Sequence, residues 1–146
     1  MPIDISKFTV PELFKHIEEL PAKDRVGALR EIANLRPELK TILRCTYHKN
    51  IVFDLPEGDP PYKAMETPEN MGHNRLPKEL RKFEYFLPTT NLKQIKREKI
   101  FIELLEAVSP EEAKVVLMVK NKKMAYKGFN RKLIEEALPE ILEGEQ

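Results

Sequence analysis

Apolar positions recur at helical spacing along the first third of the chain, and prolines punctuate them. Val10, Phe14 and Ile17 form one stripe, four and three residues apart, which predicts an amphipathic helix running to about Leu20. Its start is written in local chemistry: Thr9 supplies a capping hydroxyl, Pro11 a fixed φ in the first turn, and Glu12 a carboxylate three residues after the cap. Pro21 opens a second helix with Val26, Leu29, Ile32 and Ala33 inward. Leu35-Arg36-Pro37 ends it, because a residue before proline avoids helical dihedrals. A third helix from Pro37 turns Leu39, Ile42, Leu43 and Thr46 inward. Three short helices joined by proline-marked turns make a compact cluster.

The periodicity then breaks. From Asn50 to Lys63 the chain reads NIVFDLPEGDPPYK, in which Ile51, Val52 and Phe53 suit a short strand while Pro56, Pro60 and Pro61 impose a turn and an extended run. Phe53, Leu55 and Tyr62 need an apolar surface to lie on, which makes the segment a strap across the helices. Phe53, Pro60, Pro61 and Tyr62 are also candidate protein-binding residues, since a short proline motif fits an aromatic groove on a partner. Residues 64–75 are turn formers without a period and mark a connector. Leu76 to Pro88 predicts a short helix with Pro77 in its first turn and Leu80 and Phe83 buried.

The last third is the most strongly patterned. Asn91 with Gln94 reads as a cap, and the helix after it is expected to bury Leu92, Ile95, Phe101, Ile102, Leu105 and Val108. Ser109-Pro110-Glu111-Glu112 repeats the capping signature, so another helix begins at Pro110. With Ala113 and the run Val115 to Val119 it is apolar nearly all round, hence central. A hairpin of VVLMV with MAYKGF competes, and the cap favours the helix. Asn130 caps a final helix with Leu133, Ile134, Ala137 and Leu138, which Pro139 interrupts. The expected fold is mainly α: an N-terminal three-helix cluster, a proline-rich strap that admits a short strand, and a C-terminal helical hairpin. Residues 1–63, a connector at 64–75, and 76–146 are its parts, able to pack as one domain.

Composition narrows the function. With 146 residues and 41% hydrophobic side chains, the chain can bury a core without disulfides. Cys45 is the lone cysteine, and a free thiol points to a reducing compartment. The first residues lack the pattern of a secretion signal, and no apolar stretch reaches the roughly 20 residues that span a bilayer, so a soluble protein with no membrane partner is expected. His16, His48 and His73 lie far apart and suit surface or boundary positions. No metal-ligand spacing, phosphate-cradling glycine loop or nucleophile elbow occurs. The chain therefore reads as a non-enzyme, with no catalytic residue, metal or cofactor expected.

Charge adds one candidate surface. The formal net charge is +1, yet residues 93–132 carry 11 Lys and Arg against 5 Asp and Glu, and residues 133–146 carry 5 acids and no base. Lys120, Lys122, Lys123, Lys127, Arg131 and Lys132 surround a turn in which Tyr126 and Phe129 are interleaved and Gly128 suits a positive φ. Such a cationic tip between two helices can contact phosphates, with Tyr126 stacking on an unpaired base, or can meet an acidic protein partner. The plainer alternative leaves the lysines in water beside the acidic tail, while Tyr126 and Phe129 fasten the turn to the core.

Two blocks, IVFDLPEGDPPYK at 51–63 and FIELLEAVSPEEAKVVLMVKNKKMAYKGFNRKLIEEALPEIL at 101–142, resemble an uncharacterised family of small proteins from large tailed bacteriophages, cyanobacterial phages included. This chain carries Asn121 where that family commonly has an acid, and Leu138 where it commonly has phenylalanine. The resemblance implies a viral protein with a mainly helical body, in the host cytoplasm or the virion, and supplies no catalytic residue. If the two blocks belong together, the simplest physical account is that they touch, with Phe53 and Tyr62 near the basic turn. The expected function is an accessory or adaptor protein that binds a host or phage machine of replication or transcription. A direct nucleic-acid binder using the basic turn, a small virion component and an antagonist of host defence are the alternatives.

Overall fold

A computed structural model of the chain describes residues 5–64 and 75–145. Local signals set most of its elements. In α1 (Val10–Glu18) the Thr9 hydroxyl accepts the Glu12 amide at 3.3 Å, and the Glu12 carboxylate accepts the Thr9 amide at 2.8 Å. A cap of this kind contributes about 1 kcal/mol. α2 spans Ala22–Leu35 and α3 spans Glu38–Tyr47. Between them the pre-proline Arg36 leaves the helical region at φ −127°, ψ 77°, and its guanidinium donates to the Ile5 and Phe8 carbonyls, both at 2.7 Å. Leu39, Ile42, Leu43 and Thr46 of α3 are all buried, and the Thr46 hydroxyl donates to the Ile42 carbonyl at 2.7 Å.

After the strap, α4 (Leu76–Glu79) passes into a 3-10 turn over Leu80–Phe86. α5 (Gln94–Ala107) and α6 (Pro110–Asn121) pack on one another across a short turn, and α6 opens in a second capping box, Ser109 with Glu112. The VVLMV run is thus helical, and among the described residues there is no β-strand. Ile51 to Phe53 are extended without a ladder; the Asp54 amide instead donates to the Phe86 carbonyl at 2.7 Å. α7 (Arg131–Ala137) is capped by Asn130, whose side chain accepts the Leu133 amide at 2.8 Å, and runs into a 3-10 turn at Pro139–Leu142.

α6 is the centre, packed on α1, α3 and α5 with Ala113, Val115, Val116, Met118 and Val119 buried. The expected hairpin of α6 with the final helix is replaced by another arrangement. α7 lies chiefly on α2, and Pro139–Leu142 on α3, because α6 is already enclosed on three sides and the apolar face of α7 must be buried elsewhere. Arg30 of α2 secures this docking by donating to the Glu136 carbonyl at 2.8 Å and the Ala137 carbonyl at 3.3 Å. Both ends of the chain share one hydrophobic core. Residues 65–74 of the expected connector lie outside the described residues; the blocks on either side of it interpack through α3 with α6 and α2 with α7.

Aromatic rings organise that core in two runs. Phe14 stacks on Tyr126 at 4.9 Å and meets Phe129 edge-on at 5.3 Å, while Phe53, Phe83, Phe86 and Phe101 adjoin one another at centroid distances of 5.2–6.3 Å.

α5 departs most from expectation. Asn91 does not cap it; the helix starts after Lys93 with no side-chain cap. Ile95, expected inside, is 84% exposed, while Arg97 is 4% exposed. The buried stripe is Arg97, Phe101, Leu104, Leu105 and then Val108, so the helix is rotated and Leu92 and Ile102 are only half-buried.

Candidate interaction site along the proline strap

The strap runs alongside α5. At its start the Gln94 side-chain amide donates to the Asp54 carbonyl at 2.9 Å and Arg97 reaches the Asp54 carboxylate at 3.2 Å; at its end the Lys63 amide donates to Glu106 at 2.8 Å. Gln94 and Glu106 are at opposite ends of α5, so the strap covers roughly 18 Å of that helix. Midway, Gly58 at φ 82° turns the chain toward the end of α6. There the Lys120 ammonium donates to the Gly58 carbonyl at 2.6 Å, and the Asn121 amide to Asp59 at 3.0 Å. Strap and α6 therefore touch. Phe53, however, packs on Phe83 and Phe86. Tyr62 and Pro60 are half-buried and Pro61 is exposed. Between strap and helix lies an open hollow of about 370 Å³, walled by Leu55, Pro56, Pro60 and Pro61 and floored by Phe101 and Ile102.

The residues expected at the cationic tip are divided among several tasks. α6 ends on Lys122 in the left-handed conformation, φ 53°, ψ 41°. Its ammonium donates to the carbonyls of Cys45 at 3.0 Å, His48 at 2.7 Å and Ile51 at 2.6 Å. These lie at the end of α3 and just beyond, where carbonyls lack helical partners and the dipole favours a cation. Burial pulls the Lys122 ammonium below the ordinary lysine pKa and pushes the adjacent Cys45 thiol up to about 11, against the opposing charges of Lys122 and Arg44. The balance of burial and charge favours the thiol over the thiolate at Cys45. Arg131 donates to the Tyr47 carbonyl at 3.0 Å and pairs with Glu145 and Glu135. Tyr126 has one ring face on Phe14, and burial first, then Glu18 and Glu111, pushes its hydroxyl up to about 12. Lys123, Lys127 and Lys132 are exposed.

The turn carries a testable strain. Gly128 sits at φ 83°, and a Cβ there would stand 2.7 Å from the Arg25 guanidinium carbon. Gly128→Ala is expected to lose about 1–2 kcal/mol, mostly from the left-handed backbone, because the guanidinium can swing aside. Thermal denaturation of the purified variant checks this.

The acidic tail folds back onto the basic turn. Glu145 accepts from Arg131 and from the Lys49 amide at 2.8 Å, and these donors hold its carboxyl at about 2, below the ordinary 4.5. A depressed folded-state value stabilises the fold above pH 4.5, and the contribution is lost as pH falls through about 2. Glu145→Gln is expected to be less stable than the parent at neutral pH, with the gap closing as pH falls toward 2. Urea denaturation at several pH values reads this out, and a gap that persists at low pH contradicts it.

Besides Arg36, three buried polar residues escaped the sequence. Arg97 donates to the Tyr85 carbonyl at 2.9 Å, the Thr90 carbonyl at 2.8 Å, the Gln94 side chain at 2.6 Å and, more weakly, the Leu87 carbonyl at 3.4 Å. No pattern marks it, since most of its acceptors are backbone. His48, expected near the surface, is 3% exposed. Its Nδ1 accepts the Asn50 amide at 3.1 Å, so the proton of the neutral ring sits on Nε2 and is donated to the Glu143 carbonyl at 2.8 Å. Glu112 is fully buried, its two oxygens accepting the Ser109 amide at 3.1 Å and the Leu76 amide at 2.7 Å; only its capping half was legible. Among the described residues no group of three or more His, Cys, Asp or Glu can hold a metal ion, and no helix is long and apolar enough to cross a membrane.

Fold and site together define a mainly helical protein with a proline strap clamped along one helix. The chain belongs to a family of unknown function, DUF6433, whose sequence profile matches residues 15–126. That span begins within α1, ends at Tyr126, and takes in the strap, α5 and α6. Comparison with curated proteins and with solved structures found no match.

Proposed function

We propose that this protein is a non-enzymatic accessory protein of a tailed bacteriophage, an adaptor that docks onto a host or phage machine of replication or transcription in the host cytoplasm. The observation that most supports docking is the strap, a proline-rich segment fixed at both ends and at Gly58 beside a helix whose outer face carries the exposed Ile95. A prepositioned extended segment next to solvent-facing aliphatic groups suits protein recognition, because little order has to be gained on binding. The viral origin rests on the two sequence blocks. Recovery of the tagged protein from infected cells, with and without nuclease, tests the reading. A discrete protein partner that survives nuclease is expected; a recovered set that disperses on nuclease treatment overturns it.

Direct nucleic-acid binding is the second reading, favoured by Lys123, Lys127 and Lys132 sharing one exposed turn region. Lys120, Lys122 and Arg131 are engaged internally, so three phosphate contacts remain. Binding through them would weaken with salt at a log–log slope of about −2 to −3.

A further inference from the structure

We infer that the outer groove of α5 is a docking site for a basic amphipathic helix of a partner protein, which deepens the adaptor reading and rests on it. Two hollows adjoin one another along α5. The hollow under the strap and a second, more open one of about 520 Å³ along the outer face of α5 share Glu98 and Ile102. Ile95 and Ile102 lie seven residues apart on that face, about 10 Å along the axis. That is the interval over which two turns of an incoming helix seat side chains at i, i+3 or i+4, and i+7.

Charge sets the sign of the occupant. Glu57, Asp59, Glu98, Glu103 and Glu106 line the two hollows against Lys99 and Lys120, an excess of carboxylates over ammonium groups. Residues 93–132 as a whole are basic, so this acidic rim is a local reversal. Ile95 has the largest exposure of the large apolar side chains among the described residues, at a position where a solvated helix normally places a polar group. An aliphatic stripe rimmed by carboxylates complements a helix with leucine or isoleucine on one face and Lys or Arg flanking it.

The test is a display library of amphipathic helices of roughly four turns, with leucines fixed at the i, i+3 and i+7 positions. Flanking positions are randomised among Lys, Arg, Glu, Asp and Gln, and selection runs in parallel on the full chain and on Ile95→Glu. Expected are Lys and Arg at the flanks and about tenfold weaker binding of the selected peptide to Ile95→Glu. The double variant Glu98→Lys, Glu103→Lys should shift preference to acidic flanks, and amide shift changes should map to residues 55–61 and 95–106. Enrichment no better than on Ile95→Glu, acidic or neutral flanks, or shift changes elsewhere overturn the inference. Dimerisation in sedimentation that Ile95→Glu abolishes also overturns it, assigning the groove to a second copy. Unchanged unfolding temperatures show that the variants fold. The two readings fail separately: a nuclease-resistant partner recovered equally well by Ile95→Glu preserves the adaptor and removes this groove. A groove that selects basic helices while infected cells yield no partner does the reverse.

Discussion

Arg97→Met is expected to lose about 3–5 kcal/mol of stability, as much as emptying a core phenylalanine. Methionine occupies the space of the arginine stem but donates nothing. The carbonyls of Tyr85 and Thr90 and the side chain of Gln94, which now accept at 2.6–2.9 Å, lose a charged donor, and each such bond contributes about 1.5–3 kcal/mol. Asp54 moderates the loss, because its side chain is 53% exposed and water takes over its solvation. Arg97→Lys should recover less than half, since a point charge cannot reach acceptors on several sides as a planar fork does. Urea denaturation of the three proteins decides it, and near-equality of Arg97→Met with the parent rules out the network as a support. A second readout is function: Arg97 also anchors the strap at Asp54, so Arg97→Met should weaken peptide binding in the α5 groove that Arg97 does not line.

Lys122→Met should cost about 2–3 kcal/mol, seen as a drop of roughly 5–10 °C in Tm. Three carbonyls lose the ammonium at once, although that of His48 keeps the Ile51 amide at 3.2 Å, and the site is only half-buried, so water recovers part of the loss. A glycine variant separates the two roles of the residue. Lys122→Gly relaxes a positive φ, worth about 1 kcal/mol, while deleting the same bonds. A net loss shows that the three bonds outweigh the backbone strain; a gain means that the lysine merely tolerates its backbone. Lys123→Met, on an exposed neighbour, is the control and should change stability by less than about 0.5 kcal/mol.

These two residues also show where sequence reading stops. Thr9 with Glu12, Ser109 with Glu112, and Asn130 announce helix starts because a cap is satisfied within three residues of itself. The inward face of α3 is equally plain, since its stripe is long and uninterrupted. Lys122 reads as one more charge in a basic run; its partners are carbonyls more than seventy residues earlier, and backbone acceptors leave no mark in a sequence. Arg97 fails for the same reason. Its burial then rotates α5 and puts Ile95 outside, reversing what hydrophobicity alone suggests for both positions. The strap was recognisable by composition, but its course was not, because the anchors Gln94, Glu106 and Lys120 are ordinary surface residue types whose role depends on where α5 and α6 come to lie.

The grip of Arg30 on the carbonyls of Glu136 and Ala137, and of Arg44 and His48 on those of Ile141 and Glu143, bears on how the molecule is made. A ribosome delivers α1 to α3 long before their covers exist. Leu29, Ile32 and Ala33 belong to the same core as α6 and α7, so the nascent chain carries an apolar face through most of its synthesis. Contacts this distant in sequence form late and slowly, and the waiting segments are exposed to chaperones and to one another. A chain halted after Tyr126 is expected to leave bare the face of α2 that α7 covers and to aggregate more readily than the full chain, which light scattering of the two proteins checks.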